Sequence, residues 1–192
     1  MFHRQSILYF CILALACVLT RTAWADLSNK KTTVTFSAPV EIPGKVLPAG
    51  TYVFKVLDEA GNRNVVQIFN EDETQLIATV LAIPDYRQIP PGKTIINFEE
   101  RSVGTPEAIK EWFYPGDNYG VQFVYPHDQA TRIAGRTRQN VLQMRNEMQP
   151  ATPAKSASDQ SVKQMENTDV TGVDPNGNQI DQNQVVSPKR QK

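Results

Sequence analysis

Polar and apolar positions alternate along much of the first two thirds of the chain. In Lys31-Thr32-Thr33-Val34-Thr35-Phe36-Ser37, Val34 and Phe36 fall on one side and Thr33 and Thr35 on the other. This period of two is the mark of a half-buried strand. Pro39 ends it, and Val40-Glu41-Ile42 follows as a short extended piece closed by Pro43-Gly44. Residues 51–57 predict a strand and 64–69 its hairpin partner, with Gly61 in the tight turn between them. Leu76 to Ile83 is almost wholly apolar, which predicts a central strand covered on both faces. Residues 84–92 form a loop carrying Pro84, Pro90 and Pro91. Strands are expected again at 94–99, 108–114 and 121–125. Residues 127–137 put Ile133 and Ala134 on one side of a short helix, and Val141-Leu142 supply a last edge strand. About seven or eight short antiparallel strands spaced by turns predict a mostly all-β fold, a β-sandwich or open barrel, with one short C-terminal helix.

The N-terminus follows a different pattern. Arg4 precedes an apolar run over 7–19, and Ala23-Trp24-Ala25 ends it with small residues at both outer positions. A basic start, a short apolar stretch and a small-x-small ending predict a secretory signal peptide over 1–25, cleaved after Ala25. A membrane-spanning helix needs about 20 apolar residues. This run is shorter and Arg21 interrupts it, so no stable membrane span is expected after cleavage. Leu13-Ala14-Leu15-Ala16-Cys17 departs from a lipoprotein site, because a leucine stands two before the cysteine where a small residue belongs. Anchoring through Cys17 is therefore not expected, and the destination is the periplasm or the exterior. Cys11 and Cys17 are the only cysteines. The exported chain thus has no disulfide, thiolate metal site or thiol nucleophile.

Composition then divides the remainder. Six Phe, five Tyr and Trp112 lie between Phe36 and Tyr125, and no aromatic residue follows. Beyond Met148 the chain is rich in Gln, Asn, Ser, Asp, Lys, Thr and Pro. Such a segment buries too little apolar surface to offset its ordering entropy. Residues 26–145 are therefore expected to form one domain, and 146–192 a disordered tail dispensable for folding. Removing Arg4 and Arg21 from 20 basic residues leaves 18 against 20 acidic ones, a net charge of about −2. No basic patch appears, which argues against nucleic acid as a partner.

Two strings stand out. In Pro43-Gly44-Lys45-Val46-Leu47-Pro48-Ala49-Gly50-Thr51-Tyr52, Pro48 presets a turn, Gly50 is expected to hold a positive φ, and Tyr52 anchors the strand that follows. In Trp112-Phe113-Tyr114-Pro115-Gly116-Asp117-Asn118-Tyr119-Gly120, Trp112 and Tyr114 share a strand face and Phe113 takes the other. Together with Thr33-Val34-Thr35-Phe36 and Ile83-Pro84-Asp85-Tyr86-Arg87, these strings resemble a group of small exported bacterial proteins with no assigned activity. The resemblance spans about 100 residues, from Thr33 to Tyr125. It implies a fold and a compartment, and no chemistry.

Candidate chemistry is sparse. Were the Trp112 face exposed, Trp112, Tyr114 and Tyr119 beside Asp117 would make a ligand platform. Rings cover the apolar faces of sugars while polar groups meet their hydroxyls. The competing expectation is a core face. Glu99 and Glu100 are neighbours on one strand and so point to opposite faces, which prevents them from flanking one scissile bond. Glu71-Asp72-Glu73 reads as a solvated turn, and Asp85 and Arg87 as a loop brace. The Asp174-Pro175-Asn176-Gly177-Asn178 string fails as a calcium loop, since Gln179 and Val185 occupy the positions of the required Gly and Glu. His127 is the lone histidine after residue 25 and has no partner histidine for a metal. No phosphate loop, dinucleotide fingerprint or hydrolase elbow is present. The expectation is an exported, non-catalytic β domain with a structural or binding role and no cofactor. An alternative is a module for carbohydrate or another cell-envelope polymer, or for an envelope protein. A further alternative is a carboxylate-based enzyme.

Overall fold

The computed structural model describes residues 30–58, 64–99, 104–145 and 159–186. The expected signal peptide with Cys17, the turn at Gly61, Glu100-Arg101, and residues 146–158 and 187–192 lie outside the described residues.

Nine strands make one large mixed sheet. They are β1 (Lys31–Phe36), β2 (Val40–Ile42), β3 (Lys45–Leu47), β4 (Gly50–Asp58), β5 (Asn64–Asn70), β6 (Leu76–Tyr86), β7 (Ile95–Glu99), β8 (Glu107–Phe113) and β9 (Tyr119–Phe123). The spatial order is β1-β4-β5-β6-β9-β8-β2-β3, with β7 on the opposite side of β8. Helix α1 (His127–Thr137) follows, then β10 (Val141–Met144), helix α2 (Asp159–Glu166), β11 (Val170–Val173), β12 (Gln179–Ile180) and a 3₁₀ turn at Gln182–Gln184. β10, β11 and β12 form a second, three-stranded antiparallel sheet. The fold is mostly β, as its patterning predicts. The sheet curls until Phe36 on β1 meets Phe98 on β7, with ring centroids 6.2 Å apart. No ladder joins these two strands, so no barrel closes.

Pairing in the large sheet is not wholly antiparallel. β2 runs parallel to β8, Val40 opposite Glu107 and Glu41 opposite Ala108. β9 pairs with β8 only over Glu111–Phe113. Ile109 lies between those two pairings, where β8 has a ladder partner on its β7 side and none on this one. The buried Tyr125 hydroxyl sits 2.6 Å from the Ile109 carbonyl, to which it donates, and 3.2 Å from that of Glu41. A side chain thus supplies the donor that the backbone lacks there. Gln129 on α1 secures the neighbouring hairpin. Its amide donates to the Glu41 carboxylate and the Ile42 carbonyl, and its oxygen accepts the Gly44 N–H at 2.8 Å.

β6 carries side chains into two separate cores. Ala78, Val80 and Ala82 join Phe54, Ile68, Trp112, Val121 and Phe123 inside the curled sheet. Leu81 and Ile83 point the other way, with Val65 and Val124, into a second cluster. Leu142 and Met144 of β10, Met165 of α2 and Val170 of β11 complete that cluster, with Val162, Val185 and Val186 packed against it. This corrects the expectation for the C-terminal stretch. Within 146–192, residues 159–186 form a helix, two strands and a 3₁₀ turn, and they cover the outer face of β5 and β6. Their apolar residues are few, but they are placed at one surface that already exists.

Gly50 has the positive φ expected of it, and a side-chain bond holds the Pro48–Tyr52 stretch. Tyr52 donates its hydroxyl to the Pro48 carbonyl at 2.9 Å, and its burial pushes the phenol above the usual tyrosine range. Gly50 has φ 158°, close to extended, and pairs with Phe36 as the first residue of β4. The left-handed glycine of this stretch is Gly44, with φ 83°, at the tip of the β2–β3 hairpin.

Candidate functional site

The aromatic string of β8 and β9 divides between interior and surface. Trp112 is opposite Val121 across the ladder. Strand alternation therefore puts Trp112, Tyr114, Tyr119 and Val121 on one face, and that face is the inner one. Trp112 is fully buried, edge-on to Phe54 at 5.7 Å and to Tyr114 at 4.7 Å. Its indole N–H donates to Thr32 Oγ1. Tyr114 is buried beneath the Lys30 ammonium, 5.0 Å above its ring. The set Trp112, Tyr114, Tyr119 and Asp117 therefore does not form one exposed platform. Curling of the sheet turns the Trp112 face inward, and only the outer end of the stripe reaches solvent.

At that outer end Tyr119 meets Tyr86. The two residues are directly opposed across β6 and β9. Their rings are 5.4 Å apart at 62°, and they are 56% and 51% exposed. Both are held in place. Asn118 donates its amide to the Tyr86 hydroxyl at 3.2 Å. Asp117 Oδ1 accepts the Tyr119 N–H, and its other oxygen is 3.7 Å from Lys30. Asp85 Oδ1 accepts the Tyr86 N–H at 2.7 Å. Ile89, 66% exposed, follows in the proline-rich loop.

The opposite face of the same strands supports this end. Phe113 is fully buried and lies across Gly120, where an added Cβ would stand 2.4 Å from its ring and 2.5 Å from the Trp112 carbonyl. The Arg87 guanidinium lies over the Phe113 ring at 5.0 Å. Its backbone N–H donates to Asn118, and Gly116 donates to Pro91. Arg87 thus braces the loop through a ring contact. Tyr86 is the site residue that sequence patterning does not single out. Its signal is the switch, at Pro84-Asp85-Tyr86, from an apolar strand to a polar end.

Several other titratable groups are engaged in structure. Glu99 is buried and 3.2 Å from the Lys110 ammonium. Glu111 is buried and accepts the Asn97 amide at 2.9 Å. His127 Nδ1 is 2.8 Å from Gln143 Oε1, whose amide bonds Thr171 and Gly172 of β11. Asp174 caps the β11–β12 hairpin: Oδ1 accepts the N–H groups of Asn176 and Asn178, and Oδ2 accepts the Asn178 amide. The bonds from Asn178 and then Asn176 hold its carboxyl below the usual aspartate range. Asp72 is lowered in the same way, by the hydroxyl and N–H of Thr74. Lys31 pairs with Glu73. Among the described residues no group of three His, Cys, Asp or Glu is arranged to hold a metal ion. No helix among them is long and apolar enough to cross a membrane.

An open groove of about 790 Å³ lies at the end of β1, with Phe36, Val40, Phe98 and Pro106 in its lining. Neither a family model, nor a curated protein, nor a solved structure matches this chain.

Proposed function

We propose that the chain is an exported, non-catalytic, sandwich-like β domain that works by binding, with Tyr86 and Tyr119 as its contact surface. Residues 1–25 support the export half of this reading, through the order of Arg4, the apolar run and Ala23-Trp24-Ala25. Exported product analysed by mass spectrometry is expected to begin at Asp26. A lipid-modified Cys17 terminus would contradict it.

The single observation behind the binding half is the tyrosine pair. Two large rings, each about half exposed, touch each other; the Tyr86 hydroxyl accepts from Asn118, and Asp117 accepts the backbone N–H of Tyr119. Pre-ordered aromatic surface loses little entropy on binding. The non-catalytic half is supported by the occupation of the interior ionisable groups. Glu41, Glu99 and Glu111 each meet a side-chain partner. The expected partner is a polymer or protein of the cell envelope.

The test is sedimentation of the exported chain with washed bacterial envelope. The wild-type chain is expected in the pellet. A variant carrying Tyr86→Ala and Tyr119→Ala is expected in the supernatant with an unchanged unfolding midpoint. Equal partition of the two proteins would remove the tyrosine pair from the function.

A further inference from the structure

We infer that the ligand of the Tyr86–Tyr119 surface is a neutral carbohydrate chain, taken along its length. The inference rests on the binding reading above and adds the chemistry of the partner. Its basis is the mixture of groups at this one end of the sheet. The exposed rings are tyrosines, amphipathic rather than aliphatic, and the side chains beside them are an amide and carboxylates. A sugar ring has a C–H face and a rim of hydroxyls that both donate and accept. Aromatic faces take the first, and groups of the Asn and Asp kind take the second. Asn118 gives its N–H to Tyr86, and its amide also carries an oxygen, the kind of acceptor that a sugar hydroxyl meets.

The shape narrows the choice. The rings meet at 62° with centroids 5.4 Å apart. They touch each other, so nothing fits between them, and they cannot form one flat plate. A sugar unit lies on one ring while its neighbour in the chain runs past the edge of the other. The surface is half exposed rather than enclosed, so it admits the middle of a chain and does not require an end.

Charge narrows it further. Asp117 faces Lys30, and the Arg87 guanidinium is directed to Phe113 on the opposite face of the strands. Both of these cations are engaged by other groups, Lys30 by Asp117 and Arg87 by Phe113, which disfavours a polyanion as the ligand. Binding by ring stacking and neutral hydrogen bonds depends little on salt.

Short oligomers of N-acetylglucosamine and of glucose, titrated separately into the isotope-labelled exported chain, provide the test. Saturable shifts are expected at the Tyr86, Asn118 and Tyr119 signals with at least one series. Tyr119→Ala is expected to weaken binding roughly 10-fold, because it removes the ring on which a sugar unit stacks. Tyr119→Phe keeps the ring and should retain most of the affinity, and raised salt should leave it nearly unchanged. Absence of saturable shifts with both series overturns the inference, as does binding that Tyr119→Ala leaves intact. If the oligomers fail while envelope sedimentation still depends on Tyr86 and Tyr119, the carbohydrate falls and the binding reading stands with a protein as partner. If both fail, both readings fall.

Discussion

Tyr125 shows how much one side chain decides in this fold. Its hydroxyl stands where β2 and β9 share one side of β8, bonded to Ile109 with Glu41 within reach. Removing that oxygen leaves a buried carbonyl without its donor. Tyr125→Phe is therefore expected to destabilise the chain by about 1–3 kcal/mol, the usual penalty for an unsatisfied buried group. Chemical denaturation measures it, and a change near zero would mean the ladder gap is satisfied some other way. Trp112 carries a different lesson. Strand alternation correctly groups it with Tyr114 and Tyr119 on one face. Alternation cannot say whether that face looks in or out, because both faces of a strand inside a curled sheet meet other layers. Phe113, assigned to the other face, is as fully buried as Trp112.

At the scale of elements, β4, β5, β7, β8, β9 and helix α1 are readable from period and punctuation alone, whereas Pro84–Tyr86, expected as loop, continue β6 against β9. The apolar run of β6 also carried the correct expectation that both of its faces are covered. What covers the outer face was not readable. Residues 159–186 have no aromatic residue and only scattered Val, Met and Ile, so their own pattern is too weak to announce a helix or a sheet. The demand for them is written in β6, not in their own composition. The parallel β2–β8 pair escaped for a related reason, since three-residue strands show no period. The β11–β12 hairpin offers a direct check. Gly177 holds φ 86° inside the Asp174 turn, a region that β-branched residues tolerate poorly. Gly177→Val should cost roughly 1–2 kcal/mol of local backbone strain. Were this stretch a disordered tail, as composition suggests, the substitution would have no measurable effect in denaturation.

At the scale of the whole molecule, one curled sheet separates two apolar clusters, and the C-terminal segment closes the second. The tyrosine pair lies on the inner face, at the end where the first cluster opens to solvent. On the proposed reading, binding and stability fall to different parts of the chain, and the double tyrosine variant is expected to fold normally. The C-terminal segment, in contrast, buries Val65, Leu81, Ile83 and Val124 together with Leu142 and Met144. Losing the partners of six apolar side chains outweighs the entropy regained by the missing segment. The most direct measurement is the thermal unfolding of residues 26–145, compared with that of residues 26–192. A fall in the midpoint on the order of 10 °C is expected, equivalent to about 2–4 kcal/mol for a domain of this size. An unchanged midpoint would contradict the two-cluster architecture and return residues 146–192 to the role of a dispensable tail.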